Sequence, residues 1–304
     1  MRWIIEGFGS IGNRHYGLLK ELGQEVRLVS GRSDTPCKTY SCASEAIEDF
    51  KPDYYLICNS TNRHMPSLEK LVEAGFDGIC AIEKPTGLNC AECERLPPFE
   101  TIITFNMRLH PIVAAMKEAL DNEEIIAARL SVGQYLPDWR PGRDYSKVYS
   151  AIRAQGGGVL RDLSHELDLA QYFCGNALRL TAMADTYSNL EIDTEDWMCA
   201  LLEMTKCPTV SVHMDYLDRN AHRDFTILTN SRTITADLWH NKLTINGATR
   251  VFNIERNDSF RKQLELLLHK DFSSLCSYAD GLNVMKMIDA IEKAAKEKIW
   301  VDMR

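Results

Sequence analysis

The chain opens with a short apolar run, Trp3-Ile4-Ile5, that leads directly into Gly7-Phe8-Gly9-Ser10-Ile11-Gly12. A G-x-G-x-x-G placed where a strand ends and a helix begins constrains the fold more than any other feature. Gly7 permits a tight turn, Gly9 lets the backbone approach a phosphate, and Gly12 lets the helix pack close to the strand. The free amides of the helix start, helped by the helix dipole, then face an anion such as a dinucleotide pyrophosphate. Gly7, Phe8, Gly9, Ser10, Ile11 and Gly12 therefore read as a nicotinamide-dinucleotide loop. The bland alternative is a glycine-rich turn in a fold that has lost its cofactor.

The next hundred residues alternate strand and helix patterns. After a helix through about Leu22 come a strand at Glu25–Ser30, a short helix at Ala43–Asp49 and a buried apolar strand at Tyr54–Cys58. Met65–Ala74 has helical spacing, and Gly78–Ile82 and Thr101–Phe105 read as further strands. Repeated units of this length predict a doubly wound parallel sheet. After His110–Asn122, an amphipathic helix, the grammar changes to long strands: Ile126–Tyr135, Leu178–Tyr187, Trp197–Met204, Thr209–Tyr216, Arg223–Thr229, Thr233–Asp237 and Lys242–Asn246. One strong helix, Gly158–Cys174, interrupts them, and strands in succession usually pair antiparallel. The predicted division is 1–109 for a dinucleotide-binding domain and 110–304 for an α+β domain on a large, open, mainly antiparallel sheet. The helices Phe260–Leu268 and Tyr278–Lys298 close the chain, the last able to fold back on the first domain.

Composition narrows the function classes. With 304 residues, 45% hydrophobic and 26% charged, the chain is that of a globular protein with one large or two ordinary domains. A net charge of −8 without any basic run argues against nucleic acid as a partner. No stretch approaches the ~20 apolar residues of a membrane span. The first strand starts too early to leave room for a secretory signal, so the expected location is cytoplasmic. There the ten cysteines would be reduced thiols. The single C-x-x-C, Cys90/Cys93, has no partner pair at zinc spacing, so no metal is expected.

A second motif, Glu83-Lys84-Pro85, follows the strand Gly78–Ile82 at the edge where ligands bind in open α/β sheets. Alone it would read as a surface turn. It stands, however, in an ordered set: the glycine loop with His15, then Asn59-Ser60-Thr61-Asn62-Arg63-His64, Glu83-Lys84-Pro85, Asn106-x-Arg108-x-His110-Pro111, and Gly156-Gly157-Gly158-x-x-x-Asp162-x-Ser164-His165-Glu166-x-Asp168. Over nearly its whole length the chain resembles the Gfo/Idh/MocA oxidoreductases, the glucose–fructose oxidoreductase and inositol dehydrogenase group. The resemblance implies a Rossmann domain followed by an α+β domain whose open sheet makes a homodimer or homotetramer. It also implies NAD(H)- or NADP(H)-dependent oxidation or reduction of a secondary alcohol on a sugar, cyclitol or sugar nucleotide. Relatives with the Trp-Arg-Pro-Gly loop look like enzymes of bacterial surface-sugar metabolism.

Residue roles follow from the same resemblance. Lys84 would hydrogen-bond the ribose and polarise the substrate oxygen. Asp162 and His165, three apart on one predicted helix face, are the other catalytic candidates. An imidazole with an ordinary pKa near ~6.5 suits a proton shuttle. The common pattern puts histidine where this chain has Glu166, so Glu166, Lys84 and a solvent relay stay open as alternatives for the proton transfer. Asn59, Ser60, Thr61, His64, Glu83, Lys84 and Pro85 join the glycine loop as cofactor-binding candidates. Arg32 between Ser30 and Ser33 suits a 2′-phosphate and favours NADP(H) over NAD(H), although Asp34 lies close by. For substrate, Asn106, Arg108 and Glu166 come from the resemblance. Trp139, Arg140, Arg143 and Arg153 belong to a segment that reads equally well as a sugar-binding arm or as an interdomain or subunit contact. Two other functions stay open: a glycoside hydrolase that uses tightly held NAD for transient oxidation, with the same Lys84 and His165, and a non-catalytic NADP(H) sensor, which would need neither Lys84 nor the Asp162/His165 pair.

Overall fold

The computed structural model describes residues 1–304. In chain order it begins β1 (Arg2–Glu6), α1 (Ser10–Glu21), β2 (Glu25–Val29), β3 (Thr39–Tyr40), α2 (Ala43–Phe50) and β4 (Tyr54–Ile57). Next come α3 (His64–Glu73), β5 (Ile79–Ile82), α4 (Cys90–Cys93), β6 (Thr101–Ile103), α5 (Pro111–Ala119) and β7 (Ile125–Gly133). Then follow α6 (Val159–Asp162), α7 (His165–Cys174), β8 (Ala177–Asp185), β9 (Trp197–Met204), β10 (Cys207–Asp215) and β11 (His222–Thr229). The chain finishes with β12 (Thr233–Asp237), β13 (Lys242–Ile245), β14 (Ala248–Val251), α8 (Asp258–Leu268), β15 (Cys276–Ser277), α9 (Tyr278–Glu297) and β16 (Val301–Asp302).

These elements form two compact units, one of Met1–Asn106 with Phe260–Leu282, the other of Met107–Ser259 with Asn283–Arg304. The sequence pattern divides the chain once, at 109; the units divide it three times. Phe260–Leu282 joins the first unit because it is hydrogen-bonded there. Tyr54 Oη donates to the Leu267 carbonyl at 3.0 Å, Tyr278 Oη donates to the Cys93 carbonyl at 3.0 Å, and β15 pairs with β6.

In the first unit the sheet order is β15-β6-β5-β4-β1-β2-β3, parallel except for β15. A parallel sheet covered on both faces needs continuous apolar strands. Tyr54-Tyr55-Leu56-Ile57 is buried at every position, and Trp3 stacks on Tyr54 with centroids 4.3 Å apart. The strand order reverses direction between β1 and β4, so the loops after β1, β4 and β5 emerge side by side at the carboxyl edge.

The second unit is a nine-stranded sheet, order β14-β13-β12-β11-β7-β10-β9-β8-β16. It is antiparallel except at β7–β10, which pair in parallel across a long crossover containing α6, α7, β8 and β9. One face of alternate residues, including Leu130, Val212, Ala200 and Ile227, is buried, and α7 packs on β7 and β10. The opposite face carries Ser131, Cys199, Ser211 and His213, all partly exposed. No helix is long and apolar enough to cross a membrane.

One expectation fails locally. The apolar spacing predicts a single helix over Gly158–Cys174, with Asp162 and His165 on one face. The structure breaks it after Asp162 and restarts it at His165. Ser164 Oγ donates to the Arg161 carbonyl at 2.9 Å, a side-chain bond that competes with the helix ladder.

Candidate active site

In the first unit the site is built by backbone. Gly7 ends β1 with φ +94°, and a Cβ there would lie 2.7 Å from the Asn59 amide nitrogen. At Gly12 a Cβ would meet the Gly7 carbonyl oxygen at 2.1 Å, so only glycine lets α1 start this close to the turn. Gly9 is different: a Cβ on it would meet nothing within 4 Å. Gly9 is also the N-cap of α1, gives no side-chain cap bond, and is followed by no acidic residue in the first turn. A helix start without an internal acceptor, facing open space through a glycine, fits a dinucleotide pyrophosphate. Ser10 and Ile11 belong to that first turn and Phe8 to the turn before it.

The flanking loops are locked by buried polar contacts. Glu6 accepts hydrogen bonds from Asn59 Nδ2 at 3.1 Å, Ser67 Oγ at 2.6 Å and Tyr55 Oη at 2.7 Å. The Asn59 amide is thus held under the loop, and Ser60 Oγ donates to Asn62 at 2.7 Å. Thr61 is buried at the start of a short 3-10 turn. His64, 1% exposed, places Nδ1 2.9 Å from the Pro85 carbonyl and Nε2 3.2 Å from the Asn59 carbonyl. Burial lowers its proton affinity despite those carbonyls. His64 is therefore a staple between the loops after β4 and β5.

Glu83 is likewise turned inward. Its carboxylate meets buried His15 Nε2 at 2.8 Å, and His15 lies edge-on to Phe260. Burial alone would raise the Glu83 carboxyl, but His15, Thr104 and nearby Lys84 hold it below its usual value. Cys58 completes a buried trio with His15 and Glu83 whose polar atoms lie within 4.8 Å of one another. The Glu83 bond pairs His15 Nε2, while His15 Nδ1 is buried without a hydrogen-bond partner. Glu83 therefore ties α1 to the end of β5, where Lys84 leads into a cis Pro85. Arg32, at the end of β2, chelates Asp34 through Nε at 2.9 Å and a terminal nitrogen at 2.6 Å, while its amide donates to Ser30 Oγ. Ser33 is exposed in the same loop.

In the second unit side chains do the work. Buried Asp162 accepts from Tyr149 Oη, from Ser150 Oγ at 2.6 Å and from Tyr216 Oη at 3.2 Å. Burial, then the Asp162 charge, pushes both tyrosines well above their ordinary range, so they stay protonated donors. The glycine triplet explains how the Tyr149 segment gets there. A Cβ on Gly157 would meet the Tyr149 carbonyl at 2.4 Å, and one on Gly158 would meet Glu195 Oε1 at 2.1 Å. His165, half-buried, is the first residue of α7.

The next two acidic residues are spent on arginines. Glu166, fully buried, pairs with Arg223 Nε at 2.8 Å. Asp168, fully buried, accepts both Nε at 3.0 Å and a terminal nitrogen at 2.7 Å from Arg108, which also lies over the Tyr172 ring. Glu166 and Arg108, the residues expected at the substrate, both take part in ion pairs that anchor α7. Asn106, the last residue of the first unit, is buried and opens a 3-10 turn that runs to Leu109. Arg153 is held by the Asp193 carbonyl at 3.0 Å and lies 3.6 Å from Glu195. Trp139 donates Nε1 to the Gln134 carbonyl and meets Tyr216 edge-to-face at 5.2 Å. Trp139, exposed Arg140 and exposed Arg143 line a small pocket with Tyr145 and Ser150, next to the Asp162 cluster. Sequence reasoning missed Glu6, Tyr149, Tyr216 and Arg223. The Tyr149-Ser150 pair just before the glycines was an available signal; Tyr216 and Arg223 gave none.

The chain thus combines a dinucleotide-type parallel unit, with Lys84 at its sheet edge, and an open-sheet unit, with Asp162–His165 at a helix junction. Residues 113–235 match the GFO/IDH/MocA C-terminal domain. Over 196 residues the chain is 30% identical to a myo-inositol 2-dehydrogenase of Thermotoga maritima, a match that spans 58% of this chain and 55% of that relative. Among solved structures, levoglucosan dehydrogenase in complex with NADH superposes with a TM-score of 0.87 at 17% identity, covering 100% of this chain and 99% of the other. The WlbA dehydrogenase of Bordetella pertussis, in complex with NADH and UDP-GlcNAcA, gives 0.81 at 16% identity over 100% and 98%. These two show the fold. The chain is similar to GFO/IDH/MocA proteins over these residues, and it spans about half the length of the curated relative it matches.

Proposed function

We propose that this protein is a nicotinamide-dependent dehydrogenase or reductase acting on a secondary alcohol or ketone of a sugar, cyclitol or sugar nucleotide. The observation that carries the reading is the start of α1, where amides without an internal cap face open space at Gly9. Bound there, the nicotinamide cofactor supplies or accepts the hydride. The chain's own residues have the remaining tasks, which are to place the carbinol, stabilise charge on its oxygen and move one proton. We assign Lys84 to polarise that oxygen, with the His15–Glu83 bond fixing the strand end that bears it. His165 exchanges the proton. Asp162, preset by Tyr149, Ser150 and Tyr216, orients the reacting group. The Glu166–Arg223 pair supports His165 over Glu166 for this role, since a buried, ion-paired carboxylate is a poor proton shuttle. Trp139, Arg140 and Arg143 are proposed to contact the substrate, and the open sheet face to make a homo-oligomer.

For the cofactor, Arg32 with Ser30 and Ser33 supports NADP(H), while Asp34 chelating Arg32 and the NADH bound by the similar structures support NAD(H). Fluorescence titration with NADPH and NADH, then an absorbance assay against keto-sugars, cyclitols and nucleotide sugars, tests the reading. Binding with consumption on one substrate is expected. Lys84→Ala should cut turnover by about 10²–10⁴-fold while leaving cofactor affinity nearly unchanged. Cofactor that co-purifies and is never consumed would instead indicate the hydrolase, and binding without any turnover the sensor.

A further inference from the structure

Asp162 closes α6 and accepts hydrogen bonds from Tyr149, Ser150 and Tyr216, which come from two separate segments. One short stretch, residues 193–196, is bonded to both of those segments and to α6. The Asp193 amide donates to the Ala151 carbonyl at 3.2 Å, and Asp193 Oδ1 accepts the Arg153 amide at 2.6 Å. Thr194 Oγ1 faces the Ser150 carbonyl at 3.5 Å. At the other end the Asp196 carbonyl accepts the Tyr216 amide at 2.8 Å. The Asp196 carboxylate is itself fixed by the Tyr187 and Ser188 amides, at 2.8 and 2.9 Å. Thr194 and Asp196 are fully buried.

Glu195 stands between these two ends and holds α6. Its carbonyl accepts the Val159 amide and its Oε1 the Leu160 amide, both at 3.2 Å, so one residue satisfies two amides that a helix start leaves open. Gly158 makes room for the carboxylate, since a Cβ there would lie 2.1 Å from Oε1. The same glycine donates its amide to the Ser150 carbonyl at 3.0 Å and accepts the Asp162 amide at 2.9 Å. The Glu195 carboxylate therefore packs on the residue that ties Ser150 to Asp162. Its side chain is 6% exposed, with Oε2 at 3.6 Å from a terminal nitrogen of Arg153.

We propose that Glu195 is a positioning residue for the reaction, which rests on the role given to Asp162 above: its carboxylate sets where α6 starts, and so where Asp162 meets Tyr149, Ser150 and Tyr216. The reach of the side chain decides this and its charge does not. Burial raises the Glu195 carboxyl above its usual value, against the backbone amides and the charges of Arg161 and Arg153. Charged or neutral, an oxygen at that point accepts the Leu160 amide. A carboxylate one methylene shorter stops short of it.

The test compares Glu195→Asp and Glu195→Gln with wild type by steady-state kinetics on the substrate found in the panel above, with cofactor titration alongside. Glu195→Asp keeps the charge and withdraws the oxygen. Its kcat should fall about tenfold with KM and cofactor affinity unchanged, since an ångström of misplacement can cost about 10²-fold. Glu195→Gln keeps the reach and should restore most of that kcat. In an Asp162→Asn protein, Glu195→Asp should cost no further turnover, because the group it positions is already altered. Wild-type kcat in Glu195→Asp, an equal loss in Glu195→Gln, or the full loss repeated in the Asp162→Asn protein would overturn the proposal. A wild-type protein that binds cofactor and consumes none on any substrate would instead overturn the role of Asp162, and with it this use of Glu195.

Discussion

The glycine loop of the first unit and the α6–α7 junction of the second both hold polar groups in fixed positions, and they do it by opposite means. At Gly7–Gly12 the backbone is the site, and its geometry is enforced by what cannot fit: a Cβ at Gly12 would sit 2.1 Å from a carbonyl oxygen. At Asp162–Asp168 the side chains are the site, and their geometry comes from partners far along the chain. Tyr149, Ser150 and Tyr216 set Asp162, Arg223 sets Glu166 and Arg108 sets Asp168. The backbone site draws its motif from a dozen residues, although Gly7 also packs on Asn59 from the loop after β4, whereas the side-chain site depends on partners throughout the unit.

The contrast can be broken most forcefully at Arg108. Arg108→Ala leaves the buried Asp168 carboxylate without its arginine and should cost about 3–5 kcal/mol in denaturant unfolding. Arg108→Met with Asp168→Leu should cost much less, and an equal loss in both proteins would show that the ion pair does not anchor α7. Next in size is Gly12→Ala. Forcing the helix off the turn should destabilise the chain by about 3 kcal/mol and abolish nicotinamide-cofactor binding.

His110 tests the second unit by pH. Burial, then Arg223, lowers its proton affinity to about 4, with Asp258 opposing. The unfolded chain takes up that proton near ~6.5, so the contribution is complete above this value and lost as pH falls toward 4. The gap is worth up to about 3 kcal/mol. His110→Gln should flatten the acid side of the stability profile by that amount relative to wild type. A profile unchanged by the substitution would rule out this account of acid sensitivity.

The smallest effects are expected at Gly9 and Arg32, the proposed cofactor positions. Gly9→Ala should leave the melting temperature unchanged, because the new methyl meets nothing, yet weaken cofactor binding by about tenfold. Arg32→Ala removes an exposed ion pair worth less than about 1 kcal/mol of stability and should lower affinity for NADPH relative to NADH by about tenfold. A Gly9→Ala protein with lower stability and full affinity would reverse the comparison itself.

The two sheets were legible because strand and helix periods are local, and most strand limits agree to within a residue or two. The parallel β7–β10 pair was not legible, since the crossover between them contains two antiparallel strands and gives no signal of which neighbour each will choose. The break between Asp162 and His165 was hidden because apolar spacing continues across it; at the break Ser164 Oγ donates to the Arg161 carbonyl. His64 and Glu83 looked like ligand contacts because they stand in ligand-binding loops. The packing adds their partners, the Pro85 carbonyl for His64 and His15 for Glu83.

By itself the sequence determined a glycine turn between strand and helix, a parallel sheet that carries it and a lysine at that sheet's edge, because glycine sterics and apolar periodicity act over a few residues. The tertiary structure decided which charged side chains stay available for chemistry and which are consumed as anchors. A buried carboxylate must find a donor wherever the fold provides one, and for Asp162, Glu166 and Asp168 those donors lie between twelve and sixty residues away.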